Sequence, residues 1–320
     1  METQVVRVKD NSTSVLVCAA KLLKKGKLVA FPTETVYGLG ANAFNAKAVK
    51  KIFQVKGRPS DNPLIVHIGY KADLKLVAKN IPPVAKKLTQ KFWPGPLTLV
   101  LEKRKKVPSI VSANLNTVAV RMPSHTVALS LIRKAKVPLA APSANSAGKP
   151  SPTAAAHVLQ DLKNKIPLIV DSGKTNIGLE STVLDLTTSI PTLLRPGKIT
   201  LQQLEKVLGS INLPSAKNKI AKSPGMKYKH YAPKAKVIVF HGSYKKILKE
   251  MQLTKKKLKS VAVLDTTKNQ FKVAKQLFAF FRDCDKKRIK TILVIGSSHK
   301  GLGHALMNRI EKAASKIIRV

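Results

Sequence analysis

The chain has 320 residues, with 59 Lys and Arg against 16 Asp and Glu, which gives a formal charge of +43 and a pI near 10.4. Apolar residues make up 44% of the sequence, so the composition is that of a globular protein and excludes a disordered polycation. Because single hydrophobic cores stop growing at about 250–300 residues, this length favours two domains.

The sequence gives no sign of membrane insertion or secretion. No apolar stretch approaches the ~18–20 residues that a membrane-spanning helix needs. Residues 1–14 alternate polar and apolar side chains and lack the apolar middle of a signal peptide. Cys18 and Cys284 lie far apart in the sequence, and the helical pattern predicts Cys18 to be a small core residue. We therefore expect a cytoplasmic protein without disulfides.

The positive charge comes mostly from lysine, with 49 Lys and 10 Arg. Residues 211–320 carry 27 Lys and Arg against 5 Asp and Glu, so the C-terminal third is about twice as basic per residue as the rest. Proteins that read bases favour arginine and aromatic side chains, whereas only 5% of these residues are aromatic. A solvated lysine-rich surface explains this composition best. Weak, salt-sensitive contact with RNA or with anionic substrates stays the alternative.

Helical and strand patterns alternate from residue 15 onwards. Strands are predicted at residues 28–31, 64–68, 97–101, 117–121, 168–170, 182–186 and 192–194. Helices are predicted at residues 15–25, where Gly26 ends the helix, and at 46–54, 84–92, 127–134, 153–159 and 201–208. The mixture of short connections and crossovers predicts a mixed-sheet α/β domain over residues 1–210.

A basic stretch rich in proline and glycine then interrupts the pattern, and we predict a linker over residues 211–235. Residues 236–320 show three further alternations, with strands at 237–240, 261–264 and 291–295 and helices at 244–251, 273–282 and 303–314. Such alternation predicts a small parallel α/β, Rossmann-like domain with crossover helices.

Two familiar kinds of site are excluded by spacing. Segments 168–175 and 296–302 resemble phosphate loops, but neither has glycine and lysine at the required positions. The histidines are scattered, and His299 with His304 has no third ligand nearby in the sequence, so we expect no metal held by protein side chains.

Polar clusters instead follow the apolar strands, at the strand ends where α/β sheets present ligands. Residues 31–40 (FPTETVYGLG) combine glycines and hydroxyls, as suits a loop whose backbone approaches a small ligand closely. In residues 56–67 (KGRPSDNPLIVH), Lys56 and Arg58 flank a glycine and can converge on a polyphosphate.

Three further clusters have the same character. Residues 117–123 (TVAVRMP) form an apolar strand that ends in Arg121, which implies a carboxylate partner from ligand or protein. Residues 140–153 crowd small and hydroxyl side chains ahead of a helix capped near Ser151, a setting that attracts phosphate. Residues 178–182 (GLEST) and 194–197 (LRPG) again combine a hydroxyl loop with an arginine.

These motifs, in this order, resemble the threonylcarbamoyl-AMP synthases, whose catalytic domain is YrdC-like. The resemblance rests on FPTETVYGLG, KGRPSDNPLIVH, FWPGPLTLVL, TVAVRMP, APSAN, SPT, GLEST and LLRPG. SPGM at 223–226, HYAP at 230–233 and MNR at 307–309 resemble the two-domain form of the family. The resemblance implies a YrdC-like twisted mixed sheet with helices, followed by the small C-terminal domain.

The resemblance also implies a reaction in which L-threonine, bicarbonate and ATP give threonylcarbamoyl-adenylate and pyrophosphate. The product would feed tRNA threonylcarbamoyl transferase machinery, which modifies the adenosine beside the anticodon. Mg²⁺ is expected to accompany ATP, with few protein carboxylates offered to it. No protein nucleophile is needed, so positioning and fixed positive charge should supply most of the acceleration.

Site residues follow from the resemblance, motif by motif. The residues implied for L-threonine are Thr35, His67, Arg121, Ala141 and Ser181. Those implied for ATP are Lys56, Arg58, Asn62, Thr117, Ser143, Asn145, Ser151, Arg195, His230 and Tyr231, with Lys56 and Arg58 as the catalytic cations. Tyr231, and His230 beside it, would reach the nucleotide from a linker that acts as a lid.

The rival function is an RNA-binding YrdC-like module without this activity. An RNA binder would lose affinity steeply with salt and would ignore threonine. An adenylate synthase would release pyrophosphate only when threonine and bicarbonate are both present.

Overall fold

The computed structural model describes residues 2–8, 13–214 and 231–320, which form two sheets flanked by helices. The ten strands of the first sheet lie within residues 4–195, and the four strands of the second lie within 236–319. The predicted lid at 211–235 lies between the sheets in sequence, and the structure describes only its two ends. The mixed α/β fold with a separate parallel sheet is confirmed.

The first sheet is mixed, with the spatial order β1-β8-β2-β3-β7-β4-β6-β5-β9-β10. Its strands are β1 (Gln4–Arg7), β2 (Val29–Phe31), β3 (Gly38–Asn42), β4 (Ile65–His67), β5 (Leu97–Glu102), β6 (Thr117–Arg121), β7 (Leu139–Ala140), β8 (Leu168–Asp171), β9 (Thr182–Asp185) and β10 (Thr192–Arg195). The pairing of β4 with β6 is parallel and sets His67 beside Arg121.

Seven helices accompany this sheet among the described residues. They are α1 (Thr13–Lys24), α2 (Ala46–Lys56), α3 (Leu74–Val77), α4 (Pro83–Phe92), α5 (Thr126–Ala135), α6 (Ala155–Leu162) and α7 (Leu201–Leu208). As predicted, Gly26 follows the first helix in a left-handed conformation with φ 68°, and its N–H donates to the carbonyl of Leu23. Short 3-10 turns lie at Lys71–Asp73 and Ser109–Val111.

The C-terminal domain has a parallel sheet in the order β12-β13-β11-β14. Its elements are β11 (Lys236–His241), α8 (Tyr244–Lys256), β12 (Val261–Asp265), α9 (Gln270–Lys286), β13 (Thr291–Ile295), α10 (Leu302–Ala313) and β14 (Lys316–Arg319). The edge strand β14 was not predicted, because half of its residues are charged and most are exposed.

The two domains share one apolar cluster. Val36 and Leu179, from loops of the first domain, pack with Phe278 and Leu306 of α9 and α10. Burying each aliphatic side chain contributes about 1.5–3 kcal/mol, so this cluster holds the C-terminal domain against the loops that follow β2 and precede β9.

Three local predictions are wrong. Residues 38–40, expected in a loop, begin strand β3, because Gly38 and Gly40 pair with β2. The helix expected to be capped near Ser151 begins at Ala155, and Ser151 Oγ instead donates to the Glu180 carboxylate. Cys18 is exposed, because Leu16, Ala19 and Ala20 take the buried face of α1.

Within the described ranges, every helix is too short or too polar to cross a membrane.

Candidate active site

One cleft in the first domain collects most of the predicted site residues. It is lined by Thr33, Thr35, Val36, Gly38, Arg58, Ile65, His67, Arg121, Ala141, Pro142, Ser143, Glu180, Ser181, Arg195 and Tyr231. All of the residues predicted for L-threonine line this cleft, as do Arg58, Ser143, Arg195 and Tyr231 from the set predicted for ATP. The structure therefore brings the residues predicted for L-threonine together with four of the ten predicted for ATP.

Arg121 ends β6 with its guanidinium buried at one end of the cleft. Its NH1 donates to Thr35 Oγ1 at 2.9 Å, and its Nε donates to the carbonyl of Gly95 at 3.2 Å. Its NH2 lies 2.7 Å from Glu34 Oε1. A guanidinium has five N–H donors, so one N–H on each terminal nitrogen remains for a ligand carboxylate.

Glu34 is the protein carboxylate that the buried Arg121 requires. Burial alone would raise the pKa of Glu34, but the adjacent Arg121 charge and hydrogen bond outweigh it and hold this pKa below its usual value. The pair is therefore ionised at neutral pH and helps to fix the position of the guanidinium.

His67 ends the neighbouring strand β4 and is neutral. Burial and the nearby Arg121 charge lower its pKa to about 3, so the imidazole is uncharged at neutral pH. Its Nδ1 is buried without a hydrogen-bond partner. Buried polar atoms in native proteins nearly always have a partner, so this nitrogen is a place where a ligand group can bind.

Ser181 and Arg195 form another part of the cleft lining. Arg195 Nε donates to the Ser181 carbonyl at 3.0 Å, and its NH2 donates to Ser181 Oγ at 3.1 Å. Thr98 Oγ1 lies 2.7 Å from the same hydroxyl. Burial lowers the pKa of the Arg195 guanidinium, which nevertheless stays far above neutral pH because arginine does not deprotonate in proteins. Arg195 therefore orients the Ser181 hydroxyl while keeping its charge at the cleft.

Lys56 differs from its predicted role as a cation that faces the triphosphate. Its Nζ donates to the backbone carbonyls of Ser143 and Asn145, and it does not line the cleft. Burial, and next the charge of Arg58, lower the pKa of this ammonium well below its usual value. Because an ammonium has three donors and two are used here, Lys56 mainly holds the 143–145 loop.

Arg58 does line the cleft, and its NH2 donates to the carbonyls of Asn62 and Pro63, both at 3.1 Å. These bonds tie the guanidinium to the turn that leads into β4. Asn62 beside it is fully buried, and both polar atoms of its side-chain amide are without a partner. An amide that offers one donor and one acceptor matches the edge of a nucleobase or a ribose hydroxyl.

The 143–151 segment forms a second side of this region. Asn145 Nδ2 donates to the carbonyls of Ser146 and Lys149, which leaves its buried Oδ1 without a partner. Ser151 is buried, and its hydroxyl binds Glu180 rather than facing the cleft. Ser143 lines the cleft directly.

Tyr231 is buried in the cleft wall and stacks on Phe278 of α9, with ring centroids 5.4 Å apart. It has a left-handed backbone, with φ 68°. Burial raises the pKa of its phenol, so the hydroxyl stays protonated at neutral pH. His230, the other predicted linker residue, lies outside the described residues.

Thr117 does not line the cleft. It begins β6, and at ~3.3 Å per residue it lies about 13 Å from Arg121 at the other end of that strand. Its neighbours in a separate depression include Lys79 and Lys103. Sequence alone could not separate the two ends of one motif.

The sequence analysis missed two residues that organise the cleft. Glu180 accepts from Ser151 on one oxygen, and from Arg309 Nε at 2.8 Å on the other. Arg309, on α10, is fully buried although it belongs to the C-terminal domain. Both lie in motifs that carried the resemblance, GLEST and MNR. The signal that the sequence offered was a single charged residue among uncharged residues in each of the two motifs.

The fold and this cleft define a two-domain α/β enzyme whose site combines a carboxylate-binding arginine with further fixed cations. The chain matches a family model described as "Telomere recombination" over residues 21–197, and a model of the threonylcarbamoyl-AMP synthase C-terminal domain over residues 199–315. The chain belongs to the threonylcarbamoyl-AMP synthase family, whose members are nucleotidyltransferases.

Individual relatives are similar along the whole length. A threonylcarbamoyl-AMP synthase of Pyrococcus abyssi is 49% identical, over 94% of this chain and 95% of its own, and one of Bacillus subtilis is 47% identical, over 94% and 93%. The crystal structure of P. abyssi Sua5 complexed with L-threonine superposes with a TM-score of 0.95 at 46% identity, covering all of both chains. Escherichia coli YciO, at 21% identity and a TM-score of 0.55 over 61% of this chain, shares the fold of the first domain.

Proposed function

We propose that this chain makes L-threonylcarbamoyl-adenylate from L-threonine, bicarbonate and ATP, with release of pyrophosphate. The observation that carries the proposal is the meeting, in one cleft, of the Arg121 end with Arg58 and Arg195. An amino acid held at the first and a triphosphate held at the second would lie next to each other. The relatives named above support the same reaction.

Arg121 receives the threonine carboxylate in this proposal, through the two N–H donors that the protein leaves available. The buried Nδ1 of neutral His67 accepts a hydrogen bond from the substrate hydroxyl or amine. Thr35 and Ser181 add hydroxyls, and Ala141 leaves space for the substrate methyl. The set suits a small amino acid with a hydroxyl side chain.

ATP occupies the other part of the cleft, with Arg58 and Arg195 on its phosphates. Asn62 and Asn145 offer their unpartnered amide atoms to the nucleoside. Lys56 and Ser151 act indirectly, since each holds a loop or carboxylate of the wall. Tyr231, from the end of the lid, closes one side.

The chemistry needs no protein nucleophile. The threonine amine attacks the bicarbonate carbon, and loss of water gives a carbamate. A carbamate oxygen then attacks the ATP α-phosphorus in line, and the bond to the bridging oxygen breaks as pyrophosphate leaves. Negative charge accumulates on that leaving group, where fixed guanidinium groups stabilise it more than they stabilise the ground state. Closure over the cleft protects the labile adenylate from water.

Mg²⁺ is proposed as the ion that accompanies ATP. The carboxylates at the cleft, Glu34 and Glu180, are each paired with an arginine. These residues fit an ion carried by the triphosphate and its waters rather than one held by the protein. Such an ion neutralises phosphate charge during the transfer.

An omission experiment tests the proposal. Pyrophosphate release from ATP is measured with threonine, bicarbonate and Mg²⁺ omitted in turn, and the adenylate product is identified by mass. Release that requires all of them supports the proposal. Release independent of threonine would contradict the proposal. Salt-sensitive RNA binding without release would favour the RNA-binding alternative, which the similar proteins do not support.

We also propose that the product passes to the tRNA threonylcarbamoyl transferase machinery, in the cytoplasm where ATP and tRNA meet. A carbamoyl-adenylate is a mixed anhydride, so a separate enzyme with an amine acceptor must consume it. Transfer of label from threonine to tRNA, on addition of that second enzyme, tests this step.

A further inference from the structure

Three side chains of the C-terminal domain that are not part of the cleft lining converge at one place. His241 is the last residue of β11, His299 lies in the loop between β13 and α10, and Glu311 lies near the end of α10. The Nε2 atoms of both histidines lie 3.1 Å from the same oxygen, Glu311 Oε1. One ligand atom from each residue lies within 4.8 Å of the other two.

This cluster is separate from the catalytic machinery. Glu311 is two residues beyond Arg309, and at ~100° per residue the two side chains point about 200° apart around the helix axis. Arg309 faces Glu180 of the first domain, so Glu311 faces away from it. The cluster is also reachable from solvent, since the side chains of His241, His299 and Glu311 are 19%, 49% and 29% exposed.

The donor set is one that zinc prefers. Two imidazole nitrogens and one carboxylate oxygen are the ligands of many three-residue zinc sites, which keep a fourth position for water. Ligands about 2.0–2.1 Å from a tetrahedral ion lie roughly 3.3 Å from one another. The observed nitrogen-to-oxygen distances of 3.1 Å are therefore close to those of a loaded site.

The surroundings add to the case. Glu311 pairs with both histidines through the same carboxylate oxygen. The His241 ring lies against Gly296, where an added Cβ would come within 2.8 Å of Nδ1, so the backbone leaves room for the ring in this orientation. Among the described residues, this is the cluster of three or more histidine, cysteine or acidic residues that could hold a metal ion.

We propose that His241, His299 and Glu311 bind a divalent ion of the zinc class, which ties the end of β11, the β13–α10 loop and the end of α10 together. The sequence analysis expected no such site, because it found no third ligand for His299. The fold brings His241 of β11 and Glu311 of α10, which lie 58 and 12 positions from His299 in the sequence, next to that histidine.

Zinc titration of the full-length chain tests this proposal. The protein is stripped with a chelator, dialysed and titrated with ZnCl₂ by calorimetry at neutral pH, while Co²⁺ absorption reports the coordination number. We expect one ion per chain, tetrahedral or five-coordinate absorption, and a higher unfolding temperature with zinc. Affinity should fall as pH is lowered, because both imidazoles must be deprotonated to bind.

His299→Ala and Glu311→Gln should each weaken zinc binding about tenfold or more, since even outer-shell partners of a metal are worth 10–100-fold. His304→Ala is the matched control: its ring lies 6.3 Å from that of His299, but it is outside the triad. Circular dichroism of each metal-free variant checks folding.

Two results would overturn the proposal. One is a stripped wild-type chain that binds no zinc, or binds it without any change in unfolding temperature. The other is an equal loss of affinity in His304→Ala and in the triad variants, which would indicate non-specific binding to surface histidines. Pyrophosphate release is not a readout here, so failure of this proposal and failure of the proposed function are distinguishable.

Discussion

Replacing Arg309 with methionine should disturb the cleft, although Arg309 belongs to the C-terminal domain. Arg309 is fully buried, and its Nε donates to Glu180 Oε2 at 2.8 Å. Its NH1 also donates to the carbonyl of Pro196 at 2.9 Å. Methionine has a similar length and no charge, so Arg309→Met removes the partner of a buried carboxylate without leaving a large cavity.

The magnitude follows from what Glu180 loses. Removing one partner of a buried ion pair costs about 3–5 kcal/mol, because the other charge stays buried and uncompensated. Glu180 retains its hydrogen bond from Ser151 and the nearby charge of Arg195, which places the expected loss toward the lower end of that range. Without Arg309 the Glu180 side chain is no longer fixed, and the part of the cleft lining that Glu180 forms is no longer fixed either.

The pH dependence gives the sharpest readout. In the native chain burial would raise the pKa of Glu180, but Arg309 and then Arg195 hold it below its usual value. Such a group stabilises the fold above its unfolded pKa, and this contribution is lost as pH falls through the folded pKa. Without Arg309 burial dominates and the pKa rises, so the penalty should be largest near pH 7.5 and smaller near pH 5.

Urea unfolding at both pH values and steady-state pyrophosphate release measure these effects. The expected result is a lower unfolding midpoint and a lower kcat/KM for ATP, with part of the stability restored in the double variant with Glu180→Gln. Arg319→Met, at an exposed arginine of the same domain, is the control. A loss below about 1 kcal/mol, or one equal at both pH values, would refute the reasoning.

Four further outcomes are expected. Arg58→Ala should abolish pyrophosphate release while calorimetry still detects threonine binding; loss of both together would show that Arg58 does not act on the phosphates. Arg121→Ala should weaken threonine binding by about 2–5 kcal/mol in the calorimeter, and an unchanged affinity would contradict its role. His67→Gln should lose about 3 kcal/mol less stability than the wild type between neutral pH and pH 4. The buried neutral imidazole, with its pKa lowered from 6.5 to about 3, binds its proton only on unfolding, so acid favours the unfolded wild-type chain. Equal acid sensitivity of the two chains in urea titrations would count against this. A chain cut after Gly209 should give the circular dichroism of a folded domain but little pyrophosphate release, and full activity would disprove the lid.

The apolar strands of the fold could be predicted because a run of mostly apolar residues indicates a buried strand. Thr117–Arg121 and Thr291–Ile295 have the predicted bounds, and both are buried over nearly their whole length. Of the four strands that were not predicted, β1, β3, β7 and β14, two show clearly why. Strand β3 begins at glycines that pair with β2, and β14 is a charged edge strand, so neither shows an apolar pattern.

The candidate site was predictable where a motif and a strand end coincide. His67 and Arg121 end adjacent parallel strands, so sheet register alone brings them together. The motif singled out Lys56 but did not predict its contacts. Its ammonium donates to a carbonyl in a loop 87 residues further along the chain, and the sequence does not show that this loop lies beside it. Arg309 depends on the docking of a second domain, which no local pattern encodes.

The residues that give the chain its net charge are not the residues that form ion pairs in its interior. Four carboxylates are buried among the described residues, and three of them face an arginine. The three pairs are Glu34–Arg121, Asp161–Arg282 and Glu180–Arg309. Two of these pairs join the C-terminal domain to the first domain, and the third holds Arg121 in the cleft lining.

Each such pair is neutral, so burying it adds nothing to the +43 charge of the chain. The lysines that carry the excess stay largely solvated, where screening acts within about 8 Å at physiological salt. The cleft is positive because Arg58 and Arg195 are held there by backbone and hydroxyl oxygens. The lysine excess therefore bears on solubility and on weak association with anions, whereas in the proposed function specific recognition of a triphosphate depends on two arginines that the fold positions.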